Sequence, residues 1–236
     1  MKKFIKILCT ICARSGSKGL KNKNFKIMNG EPLIKYTLNQ AIKNSWFDKI
    51  IISSDKDIKK IINIKKNNLI FRKRPKKLSN DKSGKIEVIK DSLKYAEHTT
   101  GEKYDVIVDL DVTCPLRTSF DINESIIKFL KNKNLEILFS VSNSRKNPYF
   151  NIVEKKNNKI QISKKLKKYV KSRQSAPKTF DINGAIYIFK RKRLLQLKNP
   201  YGSKTDIYVM PQIRSIDIDG ITDWKFTEYL IKNENY

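Results

Sequence analysis

Several things are scarce in this chain. There is one histidine, His98, and there are three cysteines in 236 residues. With a single histidine in a polar stretch at a predicted helix end, no histidine is on offer as a general base. Three cysteines cannot form a disulfide framework. Cys9-x-x-Cys12 has redox or zinc spacing, but it lies within a strand pattern and has no second pair. The spacing fits buried free thiols in a reducing compartment, with Cys114 the third. No apolar run approaches the length of a membrane span, so no transmembrane helix is expected. The basic start, Met1-Lys2-Lys3-Phe4, runs through a short apolar stretch straight into Arg14 without a small-residue cleavage site, and a cytoplasmic protein is expected. Acidic residues are also few, 23 against 51 Lys and Arg, which gives a net charge of +28. The excess is spread along the chain with Asn and Ile. There is no aromatic-interleaved basic stripe and no nucleic-acid motif, so neither nucleic acid nor a membrane is expected as partner.

What is present begins at the first strand. Residues 7–13 are apolar and then break into Arg14-Ser15-Gly16-Ser17-Lys18-Gly19-Leu20-Lys21-Asn22-Lys23-Asn24. The glycines let the backbone approach a ligand, and successive N–H groups in such a loop make an anion-binding concavity. Arg14, Lys18, Lys21 and Lys23 add positive charge on the same turn. The chemistry asks for a phosphate-bearing ligand at the end of the first strand. Neither Gly-x-x-x-x-Gly-Lys-Ser/Thr nor Gly-x-Gly-x-x-Gly is present.

Ala13-Arg14, Ser17-Lys18-Gly19-Leu20 and Lys23-Asn24 resemble the opening loop of the acylneuraminate cytidylyltransferases, the CMP-sialic acid synthetases. Further segments follow in that family's order. Arg74-Pro75, Leu78 and Asp81 match an Arg-Pro-x-x-Leu-x-x-Asp stretch. Thr113, Pro115, Leu116 and Arg117 match Leu-Gln-Pro-Thr-Ser-Pro-Leu-Arg, with Asp111 in place of the glutamine and Cys114 in place of the serine. Asn183-Gly184-Ala185-Ile186-Tyr187 and Ile216-Asp217-Ile218-Asp219 match two more. Asp109-Leu110-Asp111 in place of the glutamine motif, and Asn147-Pro148-Tyr149-Phe150-Asn151, look like the bacterial enzymes that activate legionaminic-acid-like nonulosonic acids.

Length and pattern indicate one α/β domain spanning 1–236. Helices are expected from Pro32, from an N-cap at Ser54-Asp55 to about residue 66, over 84–98, over 121–131 and from about Thr222. Strands are expected at 48–53, 69–71, 104–111, 137–141 and 179–189, and 215–219 is read as a strand with Asp217 and Asp219 on one face. A hairpin is read around Asn157-Asn158. The resemblance implies a Rossmann-like nucleotidyltransferase three-layer sandwich with a mostly parallel sheet. It also implies that 145–180 is an insertion serving as a small dimerisation arm and completing the sugar pocket of a homodimer.

The function implied is transfer of CMP from CTP to a nine-carbon acidic sugar, with Mg²⁺ as cofactor, feeding surface or flagellar glycans. Nucleotide contacts fall on Ala13, Arg14, Ser17, Lys18, Lys23, Asn24, Arg74 and Asp81. Sugar contacts fall on Asp111, Thr113, Arg117, Arg173, Phe180 and Asn183. Arg14, Lys23, Asp111 and Asp219 are the catalytic candidates, and Asp217, Asp219 and Asp111 the metal ligands. The rivals are a CMP-Kdo synthetase or another sugar nucleotidyltransferase, and from a different class a basic nucleic-acid-binding protein.

Overall fold

The computed structural model describes residues 5–16, 19–62, 64, 66–80, 83–167, 172–198 and 200–233. The sheet starts with β1 (Ile7–Ala13), whose apolar run is buried on both faces. A small hairpin of β2 (Ile27–Met28) and β3 (Glu31–Pro32) follows, turned by Asn29 and Gly30 at positive φ. Pro32 then precedes α1 (Leu33–Ile42). Next come β4 (Lys49–Ser54), α2 (Ile58–Ile62), β5 (Leu69–Lys73), α3 (Lys85–Thr100) and β6 (Val106–Leu110). After α4 (Ser119–Lys131) and β7 (Ile137–Asn143), β8 (Val153–Lys156) and β9 (Lys159–Ile162) form a separate hairpin. Asn157 and Asn158, both at positive φ, make its two-residue turn. Then come β10 (Phe180–Lys190), α5 (Arg191–Gln196), β11 (Thr205–Val209) and α6 (Ile221–Asn233).

The seven-stranded sheet has the order β11-β7-β10-β6-β1-β4-β5. All its pairings are parallel except those of β10, which runs antiparallel to β6 and β7. Alternate residues of β1 and β6 divide between two cores. Ile7, Cys9, Ile11, Val106, Val108 and Leu110 pack with α1, α2, α4 and α6. Leu8 and Ile107 pack with α3 and α5. The result is a three-layer α/β sandwich.

Two expectations about local structure change. Residues 216–219 are not a strand. Ile218 is buried and its N–H donates to Thr113 O at 2.9 Å, so the segment crosses the end of the sheet instead of joining its ladder. The helix expected from Asp55 is only α2, and Asp55 does not cap it. Its carboxylate accepts from Ser15 N at 2.9 Å and from Ser15 Oγ at 2.5 Å, tying the loop after β1 to the end of β4. Among the described residues no helix is long and apolar enough to cross a membrane.

Candidate active site

β1, β4 and β6 are parallel neighbours, so Ala13, Ser54 and Leu110 end on one side of the sheet. Ligands of open α/β sheets bind beyond these carboxyl ends. A cleft of about 440 Å³ opens there. Its walls include Arg14, Lys23, Asn24, Arg74, Asp111, Thr113, Asp217 and Asp219. Candidate residues from four sequence-distant segments thus share one cavity.

The basic loop and the acidic loop are locked together. Lys23 Nζ lies 3.1 Å from Asp219 Oδ1 and also donates to Ile218 O. At Gly19 the two backbones nearly touch: a Cβ there would stand 2.1 Å from Asp219 O. A side chain there would force the two loops apart, and glycine is what lets them meet. Asp223 fixes the acidic loop from α6 by accepting from Asp219 N at 3.0 Å and Gly220 N at 2.8 Å. Asn24 is buried, and its Nδ2 donates to Arg14 O at 3.0 Å. Its Oδ1 has no partner among the described residues and stands available to a ligand donor. Arg74 is buried and is held by Ser53 O at 2.8 Å and Ser53 Oγ at 3.2 Å.

Asp111 sits on the opposite wall with both oxygens engaged. Oδ2 accepts from Lys85 Nζ at 2.7 Å, and Oδ1 accepts from Thr113 N at 3.2 Å and Thr113 Oγ1 at 3.1 Å. Burial alone would raise its pKa, but Lys85 and Thr113 outweigh burial and hold the carboxyl down at about 2. Asp217 is the reverse case. Withdrawal from solvent in the cleft pushes it up to about 6, with Asp111 and Asp219 adding like charge against the smaller easing by Thr113 and Lys23. A carboxylate so poorly compensated suits a divalent cation. Mg²⁺ is held in sites of this kind by one or two carboxylates together with substrate phosphates, and Asp217 and Asp219 are the carboxylates on this wall that could contribute. The three carboxylates expected as metal ligands do not form one cluster. Among the described residues no group of three His, Cys, Asp or Glu side chains is arranged to hold a metal, and Asp111 is paired with Lys85.

The remaining candidates lie elsewhere. Ala13 is buried in β1. Arg117 is buried behind the cleft, donating to Asp111 O at 3.2 Å, Ala185 O at 2.6 Å, Thr37 Oγ1 at 3.1 Å and Gln40 Oε1 at 2.9 Å. Asn183 is buried too, accepting from Ser140 Oγ at 2.6 Å and donating to Ser215 Oγ at 2.9 Å. Both brace the site and neither lines it. Phe180 lines a separate surface hollow with Ile152 and Pro148. Arg173 is exposed and donates to Ser144 O at 3.0 Å. Ser17, Lys18 and Asp81 lie outside the described residues.

Sequence reasoning missed Asp55 and Lys85. Lys85 carries a faint signal, since a cation in the first turn of a helix opposes the helix dipole and calls for another reason to be there. Asn80, Ser83, Leu78 and Val88 complete the wall beside it.

A strand-end cleft that pairs cations with carboxylates on this three-layer sheet is the arrangement a nucleotidyltransferase needs. Similarity to known proteins narrows the class. The family model described as Cytidylyltransferase matches residues 8–234, and the chain belongs to that family. It is 40% identical to a protein named post-translational flagellin modification protein B of Campylobacter coli, and 41% identical to a CMP-N,N'-diacetyllegionaminic acid synthase of Campylobacter jejuni subsp. jejuni serotype O:2. Each match covers 97% of this chain and 96% of the relative. The fold is shared with a CMP:2-keto-3-deoxy-manno-octonic acid synthetase solved with CTP, at a TM-score of 0.67 and 14% identity, over 98% of this chain and 100% of that one.

Proposed function

We propose that this cytidylyltransferase activates a nonulosonic acid, a nine-carbon acidic sugar of the legionaminic or N-acetylneuraminic type. CTP is the other substrate, and the products are the CMP-sugar and pyrophosphate. The observation that carries the reading is the Lys23–Asp219 pair with the Gly19–Asp219 backbone approach, which closes one cleft around cations and carboxylates. The name of the 41% identical relative supports the substrate class.

In the reaction a sugar hydroxyl oxygen bonds to the α-phosphorus of CTP. The bond to the β-phosphate bridging oxygen breaks, pyrophosphate leaves, and the hydroxyl proton is given up. Such transfers depend on positioning and charge neutralisation. Arg14 and Lys23 bind the triphosphate, with Ser17 and Lys18 on the same loop. Asn24, Arg74 and Asp81 serve the nucleoside. Asp111 and Thr113 face the sugar. When bound, Mg²⁺ supplies neutralisation of phosphate charge and acidifies a hydroxyl it touches. Asp217 and Asp219 would hold it.

Residues 145–180 form the arm of a homodimer in this reading, with Arg173 and Phe180 completing the neighbour's sugar pocket. Exposed Ile152, Val153, Ile160, Leu166 and Phe180 support it, because an apolar set of this size on one segment is suited to a partner surface. A cytoplasmic setting agrees with Cys9, Cys12 and Cys114 as free thiols.

The test is a panel of the four nucleoside triphosphates against N,N'-diacetyllegionaminic acid, N-acetylneuraminic acid and Kdo, read by pyrophosphate release. CTP with a nonulosonic acid is expected to turn over. Turnover with Kdo alone would move the protein to the rival class, and no release with any pair would remove the reading.

A further inference from the structure

Lys85 stands in the first turn of α3 and reaches across to the end of β6. Its ammonium meets three oxygens: Asp111 Oδ2 at 2.7 Å, Asp109 Oδ2 at 3.1 Å and Gly184 O at 3.4 Å. The Tyr187 ring lies 4.7 Å away on a further side. Asp109 is buried, and its other oxygen accepts from Thr10 Oγ1 at 2.6 Å. Its Oδ2 has no hydrogen-bond partner among the described residues and instead faces the ammonium as an ion pair. Two carboxylates and a carbonyl around one positive centre are the oxygen donors of a hard-cation site.

We propose that the Lys85 ammonium is a resident cation that fills this strand-end oxygen site, keeps a divalent metal out of it, and fixes Asp111 as a hydrogen-bond acceptor for the sugar. Lys85 is thus a positioning and specificity-determining residue. Two of its donors are bonded to Asp111 and to the Gly184 carbonyl and its charge is paired with Asp109, so its role is to hold Asp111 rather than to grip the ligand. Its charge leaves Asp111 ionised and acceptor-only, and the cleft-facing lone pairs of Asp111 select a hydroxyl or amide N–H on the substrate. Asp217 and Asp219 remain as the place for Mg²⁺. The assignment of Asp111 to the sugar rests on the proposed function; the exclusion of a second metal does not.

The experiment uses the full-length chain and two readouts. Mn²⁺ binding is counted by electron paramagnetic resonance without substrates, and KM is measured separately for CTP and for the acid that wild type turns over. Lys85→Met is expected to bind an additional Mn²⁺ per chain. Its KM for the acid should rise about tenfold or more, the scale of a lost hydrogen bond to a charged group, with the KM for CTP unchanged. Lys85→Met/Asp111→Asn should lose the additional Mn²⁺, which a general packing defect would not produce. Asp111→Asn keeps Lys85 on Asp109 and guards against a Lys85→Met chain that fails to fold. It should raise the KM for the acid without adding a metal site. An unchanged Mn²⁺ count in folded Lys85→Met overturns the resident-cation role. A rise in the KM for CTP alone, in either single variant, overturns the specificity role. If wild type takes no acid at all, the proposed function fails while the Mn²⁺ count still decides the resident cation.

Discussion

Gly19→Ala tests the joint between the two loops. The new Cβ would lie 2.1 Å from Asp219 O and 3.3 Å from Asp219 C. An unstrained carbon–oxygen contact needs about 3.3 Å, so the loops must part by about an ångström. That displacement carries Asp219 away from Lys23, now 3.1 Å distant, and widens the span between the phosphate-binding cations and the carboxylates. A misplacement of about 1 Å in a positioning element costs on the order of a hundredfold in rate, or about 2.7 kcal/mol of transition-state stabilisation. The contact lies between two loops beyond the carboxyl ends of the strands, where a loop can yield, so the core should be little affected. Steady-state pyrophosphate release should show kcat/KM lowered about a hundredfold, and a thermal melt should move by only a few degrees. A variant with near-normal kcat/KM would refute the reasoning, since the two loops would then not need their present separation. An equal loss of activity and of folding would also count against it, by placing the contact in the core.

Four further outcomes follow from the same geometry. Arg14→Ala should weaken CTP binding about tenfold to a hundredfold in calorimetry, the scale of one lost charge-assisted contact, and unchanged affinity would remove the loop from the site. Asp219→Asn should abolish Mg²⁺-dependent turnover; full activity would mean another ligand set. Asp121 is fully buried and is gripped by Arg214 at 2.9 Å and by the Thr118 cap, which together outweigh burial and lower its pKa. A carboxyl whose folded pKa is depressed contributes stability above its unfolded value of about 3.9 and loses it as pH falls below. Asp121→Asn should therefore cost about 3 kcal/mol at neutral pH in denaturant melts, with the gap to wild type closing on acidification below about pH 4; a gap independent of pH would contradict the ion pair. Replacing 153–162 by a short Gly-Ser linker should convert a dimer to monomer in sedimentation, and a dimer that survives would exclude the hairpin from the interface.

Much of this is legible in the sequence because it depends on local pattern. The apolar run of β1 and its sudden end in glycines and cations mark both a buried strand and an anion loop. Asn157-Asn158 marks a hairpin turn because asparagine tolerates positive φ. Other features depend on contacts that no local pattern encodes. Asp55 looks like a helix cap, but its partner Ser15 lies 40 residues away. Asp217 and Asp219 look like alternate residues of a strand, but the bond from Ile218 N to Thr113 O draws the segment across the sheet end. Arg117 and Asn183 have polar side chains suited to a ligand, yet burial turns them inward to backbone and hydroxyl partners. Lys85 is hidden because its two carboxylate partners, Asp109 and Asp111, stand at the end of a later strand, with Asp109 wholly inside the fold.

Whether one cleft holds the triphosphate between the basic loop and the acidic loop is decided most directly by a crystal structure of the complex with CTP and Mg²⁺. The phosphates are expected against Arg14 and Lys23, and the metal on Asp217 and Asp219. A nucleotide bound away from those four residues would contradict the shared cleft.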